Sequence, residues 1–231
     1  MRSLVIIPTY NEKENIEKIV KQISEKGFNL LVIDDNSPDG TGGILDRLQT
    51  ANPKLQVMHR EKKLGLGTAY IRGFKWALER DFDFVYTMDA DFSHNPDYLP
   101  EFSKQLSDFD LVIGSRYVGN GGVRNWPLRR RVISRFGNLY AKTILGHNIN
   151  DNTSGFMGFK RKVLEKIDLD AVRSEGYGFL IEMKYRTYKL GLKIFEFPII
   201  FVDRTQGTSK ISKNIIWEAI FLVWKLKFGI R

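Results

Sequence analysis

Phe84-Val-Tyr-Thr-Met-Asp-Ala-Asp-Phe-Ser-His-Asn-Pro96 decides how the rest of the chain is read. Phe84 to Met88 is a short apolar run and predicts a buried strand. The run ends in Asp89-Ala90-Asp91. Asn95-Pro96 closes the segment, because the residue before a proline is pushed out of helical conformation. Two carboxylates two residues apart at a strand end can point to the same side. Side by side they repel, so the pattern calls for a cation between them. Hard divalent ions prefer carboxylate oxygens, and Mg²⁺ usually takes one or two carboxylates together with substrate phosphates. The stretch thus points to a metal–diphosphate site, against the plainer reading of a solvated Asp-containing turn.

Outward from this stretch, strands and helices alternate. Leu4 to Ile7 is a β-branched buried strand that Pro8 is expected to end. Asn11 is placed to cap a helix over about 12–26, with Ile16, Ile19, Val20 and Ile23 on one face and Gly27 closing it. Leu30 to Ile33 predicts a second strand, followed by a helix over 42–49 and a strand from Leu55 to His59. A helix ends near Leu78, and after the central stretch come a helix over 97–107 and a strand over 110–114. This alternation predicts an α/β fold with a mostly parallel central sheet flanked by helices. Ligands of such sheets bind at the carboxyl ends of the strands. Glu12, Asp34 with Asp35, and Asp89 with Asp91 follow strands one, two and four, so they should fall along one edge.

Beyond Arg116 the character changes. Gly119 to Gly122 reads as flexible, and Arg124 with Arg129, Arg130 and Arg131 leads into an amphipathic helix. A loop and strand are expected over 151–159, a helix over 179–189 and a strand over 193–197. Residues 201–210 read as a polar loop carrying cations. Residues 211–231 form a tail in which Trp217, Trp224 and Phe228 can sit at lipid headgroups while Lys225, Lys227 and Arg231 reach water. The same tail could instead pack on the core. The expected organisation is therefore a catalytic domain over 1–210 and a C-terminal amphipathic helix over 211–231.

The 231 residues are 42% hydrophobic and 13% aromatic, enough for a real core. The formal charge of +9 favours an anionic partner: nucleic acid, an acidic membrane surface or a phosphate-bearing substrate. With no cysteine, disulfides and thiolate metal sites are excluded. No run approaches the roughly 20 apolar residues that span a bilayer, and the apolar run at the N-terminus is too short for a signal peptide.

Several blocks resemble the family-2 glycosyltransferases of the GT-A fold. They are Pro8-Thr-Tyr-Asn-Glu12, Val32-Ile-Asp-Asp-Asn-Ser-Pro-Asp-Gly-Thr41, Leu64-Gly-Leu-Gly-Thr-Ala69 and Met88 to Pro96. Gly114-Ser-Arg-Tyr117, Thr153-Ser-Gly-Phe156, Gly176-Tyr-Gly-Phe179 and Asp203 to Lys210 fit as well. More narrowly, the chain resembles dolichyl-phosphate mannose synthases over about residues 4–228.

The resemblance implies inverting transfer of mannose from GDP-mannose to dolichyl (polyprenyl) phosphate, with Mg²⁺ or Mn²⁺. It implies a peripheral enzyme at the cytoplasmic face of a membrane, with a small membrane-anchoring subunit as a further partner and no nucleic acid. Pro8, Tyr10, Glu12, Ile33 and Asp35 match positions that hold the nucleoside. Asp89, Ala90 and Asp91 match the metal and diphosphate positions, with Ser93 near the metal. Arg116, Arg204 and Lys210 match cations that close over the phosphates; with Asp91 they are the expected catalytic set. Arg130 and Ser134 match positions for the acceptor phosphate. Met157 departs from the pattern, standing where a basic residue is expected.

The residues themselves agree with a phosphate acceptor. A sugar hydroxyl would need a general base, whereas a phosphate is already anionic. No late Glu-Asp pair is present. Glu182 lies within a helical pattern, where an ion pair with Arg186 explains it. Arginines at a helix N-terminus oppose its dipole, so the 129–131 run calls for a compensating anion. His94 could reach the metal or serve only the turn. Gly65-Leu-Gly67 lacks the third glycine of a dinucleotide fingerprint. Two other readings remain open here: a polyprenyl-phosphate transferase using UDP-glucose, and a non-enzymatic anion-binding module.

Overall fold

The computed structural model describes residues 1–203 and 213–229. The strands are β1 (Ser3–Thr9), β2 (Asn29–Asp34), β3 (Leu55–His59), β4 (Phe84–Thr87), β5 (Leu111–Ser115), β6 (Gly122–Arg124), β7 (Met157–Lys160), β8 (Ile194–Pro198) and β9 (Ile200–Val202). The helices are α1 (Ile16–Glu25), α2 (Thr41–Ala51), α3 (Leu66–Leu78), α4 (Leu99–Gln105), α5 (Leu128–Leu145), α6 (Arg161–Lys166), α7 (Gly176–Lys189) and α8 (Lys213–Phe228).

The main sheet runs β3-β2-β1-β4-β7-β5-β8. All its pairings are parallel except those of β7, which lies antiparallel between β4 and β5. The mostly parallel sheet follows from the alternation of apolar runs and amphipathic helices. β1 shows why both faces are covered: Leu4 and Ile6 enter the core cluster that contains α3 and α7 residues, while Val5 and Ile7 enter the one that contains α1 and α4 residues. Gly73 lets α3 lie close to the sheet, since a Cβ there would come within 2.9 Å of two Ile6 side-chain carbons. A third, small cluster joins Ala141 and Leu145 of α5, Ile181 and Tyr185 of α7 and Val223 of α8.

Three local expectations are corrected. Pro8 does not end β1, which continues to Thr9. The Ile6 carbonyl accepts from Met88 on the β4 side and the Thr9 carbonyl accepts from Asp35 on the β2 side. Pro8, in phase with Ile6, turns its hydrogen-less nitrogen toward β4, whose pairing with β1 already stopped at Ile6. Asn11 does not cap α1; it sits at φ 62° in the left-handed region, and the Glu12 carbonyl instead takes the Asn15 and Ile16 amides in a turn before the helix. Gly122 belongs to strand β6, which pairs with β9 in a separate two-stranded sheet. Such three-residue strands carry too little alternation to be read from sequence.

The tail forms α8, packed on α5 and α7 with Val223 buried, while Phe221, Trp224 and Phe228 are exposed. Lys227 donates to the Leu145 carbonyl. The Trp217 side chain, Arg231 and the expected boundary at 210 lie outside what is described. Among the described residues no helix is long and apolar enough to cross a membrane.

Candidate active site

The carboxyl ends of β1 and β4 open on a cavity of about 600 Å³. β4 delivers the acidic pair. Its exit is fixed from below: the Thr87 hydroxyl donates to the Gly155 carbonyl (2.6 Å) and the Tyr70 hydroxyl to the Met88 carbonyl. Asp89, Ala90, Asp91, Ser93 and His94 then line the cavity. The turn reverses at Phe92, a non-glycine residue at φ 60°, and the Asp91 carboxylate accepts the Ser93 amide at 3.0 Å. The Ser93 hydroxyl is buried and has no hydrogen-bond partner among the described residues. Asn95 caps the 3-10 turn that begins at Pro96 by accepting the Asp97 amide.

His94 proves to be part of this turn. Its Nδ1 accepts the Asp89 amide at 3.1 Å and its ring stacks on Phe156. Burial lowers its pKa despite the nearby Asp89 and Asp91 carboxylates, which suits a neutral ring with an acceptor nitrogen. Among the described residues no group of three His, Asp or Glu side chains could hold a metal ion. A cation bound between Asp89 and Asp91 would therefore need ligand oxygens to complete its shell, as a diphosphate provides. The orphaned Ser93 hydroxyl fits such a site, because a buried hydroxyl without a partner is costly unless a ligand uses it.

The expected nucleoside residues divide. Pro8 and Glu12 line the cavity. Tyr10 is partly exposed and lies under the Lys63 ammonium. Ile33 is fully buried in the core, so its side chain does not face the site. Asp35 is buried in an ion pair with Arg60 and accepts the Leu64 and Gly65 amides at 3.1 and 3.3 Å. Asp35 thus acts on the cavity through the Leu64–Leu66 wall, which lines it. That wall explains the two glycines left over from the sequence reading. A Cβ on Gly65 would come 2.5 Å from a Glu175 oxygen, and one on Gly67 would come 2.6 Å from the Ser174 carbonyl. The Gly67 amide donates to Glu175, itself a lining residue at the start of α7.

Another part of the lining is basic and aromatic, and Phe201 links it to the acidic turn through its ring contacts with His94 and Trp126. Arg116 leaves β5 and is almost entirely buried. Its Nε and one terminal nitrogen grip Asp151 at 2.8 and 2.6 Å, and it also reaches the Thr153 hydroxyl. Burial opposes both charged forms, but each partner's charge outweighs it, so Arg116 titrates higher and Asp151 lower than usual. Arg130, in the first turn of α5, stacks on Trp126 at 4.1 Å and donates to Asp203 at 2.6 Å. Asp203 is thus an anion that offsets the basic helix start for Arg130. Arg124, Arg129 and Arg131 are exposed. Ser134 does not line the cavity; it receives the Tyr117 hydroxyl at 2.7 Å. Met157 is fully buried in the core, where its apolar side chain packs. Glu182 pairs with Arg186, as its spacing predicted. Arg204 and Lys210 lie outside the described residues.

Four important residues were missed. Asp151 stands in an Asn/Asp-rich loop, where nothing local marks a partner 35 positions away. Trp126 lies between a short strand and a proline. Glu175 reads as an ordinary solvated acid. Lys184 sits in the middle of α7, fully buried, and donates to the Asn152 and Ser154 carbonyls at 2.8 and 2.7 Å. A cation placed between apolar Met183 and Tyr185 was the only available signal.

The family described as Glycosyl transferase family 2 matches residues 4–168. The whole chain is 47% identical to a polyprenol monophosphomannose synthase of Mycolicibacterium smegmatis, covering 88% of that protein. It is 46% identical, again over its whole length, to an undecaprenyl-phosphate mannosyltransferase of Micrococcus luteus, covering 96% of it. Among solved structures, it resembles glucosyl-3-phosphoglycerate synthase of Mycobacterium tuberculosis with UDP, at 21% identity and a TM-score of 0.71 over 100% of this chain and 81% of that one. It also resembles a mannosyltransferase of Pyrobaculum calidifontis with GDP-Man and Mn²⁺, at 18% identity and a TM-score of 0.60 over 99% and 73%. These last two likenesses are of fold.

Proposed function

Because this chain belongs to glycosyl transferase family 2, we propose the following reading of its site. The chain is a glycosyltransferase that transfers mannose to a polyprenyl phosphate. The donor is GDP-mannose, and the reaction proceeds with inversion. An oxygen of the lipid phosphate attacks the anomeric carbon, the bond from that carbon to the diphosphate breaks, and GDP leaves. The attacking phosphate is already anionic, so no side chain has to remove a proton. The reading of the chain as a non-enzymatic anion binder is set aside by its family.

One observation carries this proposal. The Asp89/Asp91 pair and the Arg116, Trp126 and Arg130 group line one and the same cavity. A single donor phosphate site needs only the first. A second, cationic end suits a second phosphate. Asp89 and Asp91 would hold Mg²⁺ or Mn²⁺, with Ser93 beside them; when bound, that ion supplies Lewis-acid neutralisation of the charge developing on the diphosphate. Arg116, held rigid by Asp151, presents a fixed positive charge to the transferring centre at no reorganisation cost. Arg130 receives the acceptor phosphate, for which a guanidinium is suited by its forked donors. Arg204 and Lys210 are assigned to the donor phosphates. Pro8 and Glu12, with the Leu64–Leu66 wall that Asp35 holds, form the nucleoside end.

The acceptor's lipid also needs a surface. Leu128, Val132, Phe136 and Leu139 project exposed from α5, and Phe221, Trp224 and Phe228 from the adjoining α8. These helices form a membrane-facing side next to the cationic end, with the exposed Arg129, Arg131 and Arg135 available to anionic headgroups.

The test is transfer of labelled sugar into an organic-extractable product, with purified protein, polyprenyl phosphate and Mg²⁺ or Mn²⁺. GDP-mannose and UDP-glucose are compared, each with an EDTA control. Label from GDP-mannose alone, lost with EDTA, is expected. Label from UDP-glucose alone would overturn the donor, and label that survives EDTA would overturn the metal.

A further inference from the structure

The site holds two buried N–H groups that nothing in the described structure accepts. The Trp126 side chain is 7% exposed, yet its indole Nε1 has no hydrogen-bond partner. The Nε of Arg130 is likewise buried and unpartnered. Leaving such a donor unsatisfied costs about 1–3 kcal/mol, so a retained orphan at a cavity wall marks a place for a ligand atom.

The surroundings define that atom. Trp126 and Arg130 both line the cavity. The Arg130 guanidinium lies 4.1 Å from the Trp126 ring centre, Arg116 lies at 5.3 Å, and Phe201 meets the ring edge-on at 5.5 Å. Each of these two guanidinium groups is already paired with a carboxylate, Asp151 or Asp203, and the two N–H donors left over call for oxygen acceptors such as those of a phosphate. Asp203 takes one Arg130 donor but leaves Nε and the indole N–H unpaired. Pro127 follows Trp126 directly and opens α5, whose first exposed residue is the apolar Leu128 at 76%. An anion bound here has an apolar exit along α5. A phosphomonoester with a hydrocarbon tail meets both conditions, and a sugar nucleotide meets only the first.

We propose that Trp126 is a further binding residue for the lipid acceptor, its indole N–H donating to a phosphate oxygen while its ring serves as the platform that fixes Arg130. This rests on the transferase reading above. We assign both N–H groups to one phosphate, by which Trp126 would select for a phosphorylated lipid over the corresponding alcohol.

Trp126→Phe keeps the platform and removes only the N–H. The KM for polyprenyl phosphate should rise about tenfold, the scale of one hydrogen bond to a charged group, while the KM for the sugar nucleotide stays unchanged. An unchanged acceptor KM, or an equal rise in both constants, overturns the assignment. A second measurement uses the unaltered protein. The chain has four tryptophans, so its indole N–H signals are few in a ¹⁵N–¹H correlation spectrum, and Trp126→Phe identifies the one that matters. That signal should move downfield with a short-chain prenyl phosphate and stay in place with the prenyl alcohol or with GDP. Movement with GDP alone would give the indole to the leaving group and sink this inference while the transferase reading stands. Absence of any mannosyl transfer to lipid by the unaltered protein would remove that reading, and this assignment with it.

Discussion

Arg116 and Asp151 form a buried two-pronged ion pair, and the Asp151 carboxylate also accepts the Arg116 backbone amide at 2.9 Å. Asp151 in turn is set by Glu196, which accepts the Asp151 and Asn150 amides at 2.8 Å. The cation facing the cavity is therefore not a mobile clamp but a group bolted to the sheet through two acids. Asp151→Asn keeps the shape and strips the charge, leaving a guanidinium buried without its counter-ion. Breaking a buried pair in this way costs about 3–5 kcal/mol. Urea denaturation should show a lower midpoint and a loss of unfolding free energy of that size, and kcat should fall because Arg116 loses its orientation. A midpoint close to that of the unaltered chain would contradict the role given to Asp151.

Ser93→Ala should separate metal use from stability. The Ser93 hydroxyl is buried and unpartnered, so its removal costs the fold little. If it serves the ion held by Asp89 and Asp91, the Mn²⁺ concentration for half-maximal activity should rise by roughly tenfold, the lower end of effects for groups that support metal ligands. Asp91→Ala should abolish turnover at every metal concentration while the protein still melts cooperatively. A Ser93→Ala activation curve superimposable on the original would place the hydroxyl outside the metal site.

Much of this arrangement was legible because it is local. Strands β1, β2 and β4 and the acidic ends they carry are each encoded within about a dozen residues, by apolar runs that stop at Asp or Pro. The convergence of Glu12, Asp89 and Asp91 then followed from sheet topology alone. What escaped was long-range pairing. Asp35 belonged to an acidic edge on paper, but Arg60 and the Leu64 and Gly65 amides turn it into a brace for the wall behind the site. Arg116 read as a phosphate cation, and its partner lies in a loop whose composition announces only a turn. Ile33 is a position matched by resemblance whose side chain points, by strand alternation, into the core.

Lys184 should make stability depend on pH in a defined window. Burial lowers its pKa, opposed by Asp151 and aided by Arg116, to about 7 from an ordinary 10.5. Below pH 7 both folded and unfolded chains carry the proton, and this group adds no pH dependence. Between pH 7 and 10.5 the unfolded chain holds a proton that the folded chain has released. Stability therefore rises with pH across that window, by up to about 1.4 kcal/mol per pH unit. Lys184→Met removes this rise. It also strips the Asn152 and Ser154 carbonyls of their donor, loosening the loop that carries Thr153 and lowering kcat. Chemical denaturation of both proteins at pH 6, 7.5 and 9 checks the claim, and parallel stability curves above pH 7 would refute it.

The last prediction concerns the outer face of α5. Leu128, Val132, Phe136 and Leu139 recur at spacings of four, four and three, which places them on one stripe. Phe136 is 70% exposed and belongs to none of the buried core clusters among the described residues. Four apolar side chains held out in this way are costly in water and favourable at a bilayer surface, where burying a phenyl ring contributes about 1.5–3 kcal/mol. Phe136→Ser should leave the melting temperature unchanged and weaken sedimentation with anionic vesicles by at least about tenfold. Transfer to long-chain acceptor in vesicles should fall in proportion, while transfer to a short, water-soluble prenyl phosphate should not, because Phe136 does not line the cavity. Equal loss with both acceptors would show that the stripe supports the site from within rather than carrying it to the membrane.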